Sequence, residues 1–190
     1  MRAEEESLYA VENGIVLVEL AINSVEQLFN TLDPSPFHEK DFDADAEEFI
    51  FEAVEEISLS KPVRLIIYMP PESISPGKQL IVREALQHYF TYRAEITRRQ
   101  LRRTFWLGRV SLLIGGVFLF VCQGLQHLVA GVFPESFWAS FLREGLMISG
   151  WVAMWRPIQL FLYDWWPLRH RMMTYLKIGN MDVEIRARKA

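Results

Sequence analysis

Apolar positions run without interruption through residues 110–133 and return through 145–163, and this pattern predicts two membrane-crossing helices. Val110 to Phe133 contains no Asp, Glu, Lys or Arg. About 20 residues at ~1.5 Å rise are enough to cross a ~30 Å hydrocarbon core. The link Phe133-Pro134-Glu135-Ser136 turns the chain back, so the pair reads as a transmembrane helical hairpin. Small residues recur four apart, Ser111 and Gly115 in the first stretch and Gly145, Ser149 and Ala153 in the second. That spacing places them on one helix face and lets backbones approach, within the hairpin or towards another copy or subunit.

Outside these stretches the periodicity changes. Residues 14–22 and Val63–Met69 are short aliphatic runs bounded by turn residues, as expected for strands buried in a sheet. Met181–Arg186 is a third strand candidate that would rejoin that sheet after the hairpin. Between the strands, Ser24–Leu32 reads as a short helix. Residues 44–58 read as a longer one, with Ala46, Phe49, Ile50, Ala53, Val54 and Ile57 on one face. A third helix starts after Ser75-Pro76-Gly77 with Val82, Ala85, Leu86, Tyr89 and Ile96 along one side, and no strong breaker separates it from the first span. The expected fold class is α+β: a small cytoplasmic mixed α/β domain fused to a two-helix transmembrane hairpin, with a stalk helix continuous with the first span.

These elements divide the chain into an acidic α+β domain at 1–75, a stalk helix with a basic juxtamembrane collar at 76–109, and a first span at 110–133. An outer turn and helix start at 134–144, a second span at 145–165 and a C-terminal segment at 166–190 complete it. Charge sharpens this picture, because the formal net charge of −4 averages opposed regions. Residues 1–60 carry 16 acidic and two basic side chains, while residues 83–109 carry seven arginines against Glu84 and Glu95. The acidic part argues against a nucleic-acid partner, which needs clustered Lys and Arg. Arginines flank both ends of the hairpin and the connecting turn carries Glu135, so both termini are expected in the cytoplasm. The Met-Arg-Ala-Glu-Glu-Glu start lacks the apolar core of a secretory signal. The single cysteine, Cys122, excludes an internal disulfide and reads as a packing residue.

Candidate chemistry is sparse. The densest polar stretch, Asp33, Pro34, Pro36, Phe37, His38, Glu39 and Asp41, is the candidate docking segment for a protein partner. Asp41, Asp43, Asp45 and Glu52 match positions of a calcium loop, but Ala46 stands where the sharp turn demands glycine. No phosphate-binding loop, nucleophile elbow or zinc spacing is present, so no catalytic, cofactor or metal residues are assigned. In the hairpin, Gln123, Gln126 and His127 fall at the depth of Arg143 and Glu144. Such a polar cluster is a hydrogen-bonded structural group or, alternatively, a proton- or redox-linked site. At the inner border Arg109, Arg156, Asp164, Trp165 and Trp166 read as interface anchors, with Arg109 and Asp164 close enough in depth to pair.

Two strings, SVEQLFNTLDPSPFHEKDFDADAEEFI (residues 24–50) and LREGLMISGWVAMWRPIQLFLYDWWPLRHR (residues 142–171), resemble a group of small two-span bacterial inner-membrane proteins without an assigned activity. The resemblance implies that membrane and brings no catalytic residue. The sequence therefore predicts a non-enzymatic accessory or scaffold subunit, held by the lipid bilayer and docking a protein partner or a second copy.

Overall fold

A computed structural model describes residues 9–30, 41–75, 77–133 and 136–188. The fold is mixed α+β, with a four-stranded sheet and one very long helix. Strand β1 (Val11–Glu12) turns directly into β2 (Ile15–Ala21). After helix α1 (Ala44–Glu56) come β3 (Val63–Met69) and helix α2 (Lys78–Val132). The return run consists of α3 (Phe137–Ala153), α4 (Trp155–Gln159), a π-helical turn (Leu160–Asp164) and α5 (Trp165–Gly179). It leads into β4 (Asp182–Ala187). The chain divides into two compact units, residues 1–97 with 170–190, and residues 98–169.

In the first unit the sheet order is β1-β2-β3-β4, antiparallel at β1–β2 and parallel at the other two pairs. The C-terminal strand does rejoin the sheet, with Leu65 opposite Val183 and Ile67 opposite Ile185. Alternate residues Val16, Val18, Val63, Leu65, Ile67, Met69 and Val183 form one core with Ile50, Val54, Leu86, Phe90 and Ile178 of the helices. Helices thus cover one sheet face. The other face carries polar pairs: Tyr68 donates to Glu19 at 2.8 Å, and Arg64 and Arg186 meet Glu184 at 3.4 and 2.8 Å.

Local chemistry explains the element borders. Asn13 and Gly14 both have positive φ (53° and 79°), the geometry of a tight two-residue hairpin turn. Asp43 caps α1 by accepting from the Asp45 N–H at 3.1 Å, which satisfies an otherwise orphaned donor.

Three expectations need correction. The helix expected over Ser24–Leu32 is a 3₁₀ turn at Val25–Leu28, ended where Phe29 bridges to Phe42. On α1, Phe49 is 45% exposed; Phe51 packs inward instead, its ring 4.9 Å from that of Tyr175. On α2 the buried stripe runs through Phe90, Ala94 and Thr97 rather than Ile96, which is half-buried.

Candidate functional site

Docking residues Asp33, Pro34, Pro36, Phe37, His38 and Glu39 lie outside the described residues. What the structure fixes is the point from which that segment leaves and to which it returns. The Asn30 N–H donates to the Asp41 carbonyl at 2.8 Å, and the Asp43 N–H donates to the Leu28 carbonyl at 2.9 Å. Between them Phe29 and Phe42 form an antiparallel bridge with ring centroids 5.0 Å apart. Phe42 also packs against Tyr89 at 5.1 Å and Phe90 at 5.7 Å. Aromatic pairs at these separations add ~0.5–1.5 kcal/mol beyond their burial, so the base of the segment is anchored in the core. Asp41 is exposed.

Beside this base sits a cluster that spacing could not reveal. The Glu47 carboxylate accepts from the Tyr89 hydroxyl at 2.6 Å and from Arg93 Nε and Nη2 at 2.7 and 2.6 Å. Arg93 lies over the rings of Tyr89 and Tyr175, and Arg171 over those of Phe51 and Tyr175. Burial raises the Tyr89 hydroxyl above its ordinary range, and the Glu47 hydrogen bond adds to that. For Arg93, burial works against the charge, but the Glu47 hydrogen bond and charge outweigh it and its pKa rises. Tyrosine protonated and arginine charged, the cluster holds its protons near neutral pH. It is built to clamp α1 to α2 and α5.

The second unit is an antiparallel helix pair read from its close contacts. A Cβ on Gly108 would lie 3.0 Å from the Phe161 ring, one on Gly115 2.8 Å from the Ala153 carbonyl oxygen, and one on Gly150 2.8 Å from Leu119. Gly108, Gly115 and Cys122 are spaced by heptads and all buried, giving a narrow seam. Of the other small residues singled out, Ser111 is half-buried, whereas Gly145 has nothing within 4 Å of a built Cβ and Ser149 is exposed. The buried face of α3 is the one through Ala139 and Gly150.

Continuing this register places Gln126 level with Arg143. Gln123, Gln126 and Arg143 are half-buried, while His127 and Glu144 are exposed. Arg143 Nε is buried without a hydrogen-bond partner, and among the described residues no hydrogen bond joins these five. Asp164 does not pair with Arg109: it pairs with Arg156 at 3.3 Å. Arg156 precedes Asp164 on the same run and its guanidinium points along it, whereas Arg109 lies on the side of α2 away from the seam. Trp165 donates its indole N–H to the Phe161 carbonyl at 2.8 Å, and Trp166 is exposed. Among the described residues no group of three or more His, Cys, Asp or Glu could hold a metal ion.

Helix α2 is the one described helix long and apolar enough to cross a membrane. Its best window has a mean hydropathy of 2.0, and 17% of that window is buried. No family model matches this chain, and no curated protein or solved structure matches it significantly.

Proposed function

We propose that this is an integral membrane protein of two spans, with both termini in the cytoplasm of a bacterial inner membrane. In this reading its α/β unit is a tethered docking module for a protein partner. The observation that carries the reading is the apolar window of α2, of which so little is covered by protein. A core helix of that hydropathy would be mostly buried, because exposed apolar area costs roughly 25 cal/mol per Å² in water. Phe120 of α2 and Phe137 of α3 are 79% and 77% exposed, and lipid is the solvent that tolerates such surfaces.

The second crossing is assembled from pieces. Helix α3 has 17 residues, a few short of the ~20 that a span needs, and α4 with the π-helical turn extends it. Arginines at the ends of the second unit and their absence from the 110–133 stretch favour the same-side placement of head and tail. The resemblance to small two-span bacterial membrane proteins points to the same membrane.

Docking is assigned to residues 33–41 because their base is fixed by the Phe29–Phe42 bridge while Asp41 faces solvent. A rigid base limits the ordering cost that a partner must meet on binding. The polar level at His127, Arg143 and Glu144 supports transport chemistry less well, since His127 and Glu144 face away from the seam.

Reporters fused to each terminus test the topology, and both are expected to be active on the cytoplasmic side. Purification in mild detergent is expected to retain a stoichiometric partner, lost on Pro36→Ala with Phe37→Asp. Reporters on opposite sides, or release of the chain by carbonate, would overturn the membrane reading. A chain that purifies alone would overturn the docking role.

A further inference from the structure

The described arginines differ in what satisfies them. Those of the first unit are occupied: Arg64, Arg83, Arg93 and Arg186 meet carboxylates, and Arg171 rests on aromatic rings. In the second unit Arg156 pairs with Asp164, whereas Arg102, Arg103, Arg109 and Arg169 are exposed and form no hydrogen bond or ion pair among the described residues. No Asp or Glu occurs between Glu95 and Glu135 to neutralise them.

Their placement is directional. At 3.6 residues per turn, Arg102, Arg103, Trp106 and Arg109 fall within a roughly 120° arc of α2. That arc is centred roughly 180° from the seam of Gly108, Gly115 and Cys122. Trp106 is 60% exposed on the same arc, and indole rings favour the headgroup level. From Arg102 to Arg109 the helix rises ~10 Å, and the uncharged stretch starts at once above it. A surface that is cationic below and apolar above, with an indole at the border, matches an amphiphile with an anionic head. A nucleic acid or an acidic peptide would gain nothing from the apolar continuation.

We propose that this outward face of α2, Arg102, Arg103 and Arg109, binds the phosphate groups of anionic phospholipids. The inference rests on the two-span reading above and adds the lipid class. Guanidinium groups suit the task because they stay charged and present forked donors to phosphate oxygens.

The test uses the full chain, purified in detergent and returned to bilayers of phosphatidylcholine mixed with phosphatidylglycerol. Native mass spectrometry then counts the lipids it keeps. The chain is expected to enrich phosphatidylglycerol over its bulk share. Each of Arg102→Gln, Arg103→Gln and Arg109→Gln should lower that enrichment by up to about fivefold at low salt, given ~1 kcal/mol per basic residue at an anionic surface. The triple Arg→Lys variant should keep most of it. Equal retention of both lipids by the unsubstituted chain, or full enrichment by the triple Gln variant, would overturn the proposal. Carbonate extraction of the unsubstituted chain separates the two failures. Release from the membrane sinks the two-span reading, whereas a chain that stays inserted without lipid preference sinks only the headgroup site.

Discussion

Gly115 and Ala153 meet backbone to backbone: a Cβ built on Gly115 would stand 2.8 Å from the Ala153 carbonyl oxygen. The geometry has a cause four residues on. In a regular helix the N–H of residue 157 would bond to the carbonyl of residue 153, and Pro157 has none. The helix breaks at Met154, whose ψ is −9°, and resumes as α4 at Trp155, ahead of the π-helical turn. The carbonyl that proline leaves behind is thus turned towards a glycine, where a Cα–H can approach it. One proline sets both the break in the return run and the need for glycine across the seam.

Two adjacent glycines should therefore respond oppositely. Gly115→Ala places a methyl group against a backbone atom that cannot move aside, and overpacking of this kind costs about 1–3 kcal/mol. Gly116 has open space around a built Cβ, and Gly116→Ala should gain about 0.5–1 kcal/mol from helix propensity alone. Thermal denaturation in detergent is expected to lower the midpoint for the first variant and to raise it slightly for the second. Equal responses would remove the close approach as the reason for Gly115.

Glu47 and Glu48 make a similar contrast in the first unit. Glu47 accepts from Tyr89 and Arg93, whereas Glu48 is exposed. Glu47→Ala should cost about 2–3 kcal/mol, since it strands a half-buried guanidinium and a tyrosine hydroxyl. Glu48→Ala should stay within about 0.5 kcal/mol. Denaturant titrations of the two variants against the parent chain measure the difference, and matching midpoints would exclude the clamp.

Alkaline pH should loosen the same unit. The Tyr9 hydroxyl is pushed up to about 12 by burial and by its hydrogen bond to Glu56, and Tyr89 is raised by burial and Glu47. A hydroxyl whose folded pKa exceeds the ordinary value of 10.0 stabilises the fold in its protonated form. For Tyr9 that contribution is complete below pH 10 and is lost as the pH rises towards 12. Absorbance titration is expected to show three late-ionising tyrosines, since Tyr68 is also raised by its hydrogen bond to Glu19, with unfolding in that window shifted by Tyr9→Phe and Tyr89→Phe.

Spacing made parts of this fold legible and left others hidden for physical reasons. β2, β3 and α1 follow from runs and periods that local sequence displays, and the length of α2 follows from the lack of a breaker after Gly77. The β1 hairpin is not among the elements that spacing displays, because two residues are too few for a strand pattern, although Asn-Gly is a strong signal for a two-residue turn. Glu47 was not legible either: its partners lie 42, 46 and 128 residues away, and nothing local distinguishes it from Glu48. Phe90 hid beside Tyr89, since a stripe one residue wide can be drawn through either. The seam runs through Gly150 rather than Gly145 and Ser149, because small residues lie on more than one face of α3 and spacing alone does not say which face meets α2.

Cys122 offers a direct readout of that seam. It is 3% exposed, and a Cβ on Gly150 would lie 3.4 Å from its own Cβ. As the sole thiol of the chain, it reports helix separation without background. Thiol reagents react with the thiolate and need access to it, so the folded chain should label slowly in detergent. Gly150→Leu forces bulk against Leu119 and Cys122 and should speed labelling by at least an order of magnitude, with Gly115→Leu acting in the same direction. Gly124→Leu, on open surface, should leave the rate unchanged, which separates seam opening from a general loosening by leucine. Rapid labelling of the unsubstituted chain would mean that the two helices do not stay paired, and the link from Pro157 to Gly115 would fail with them.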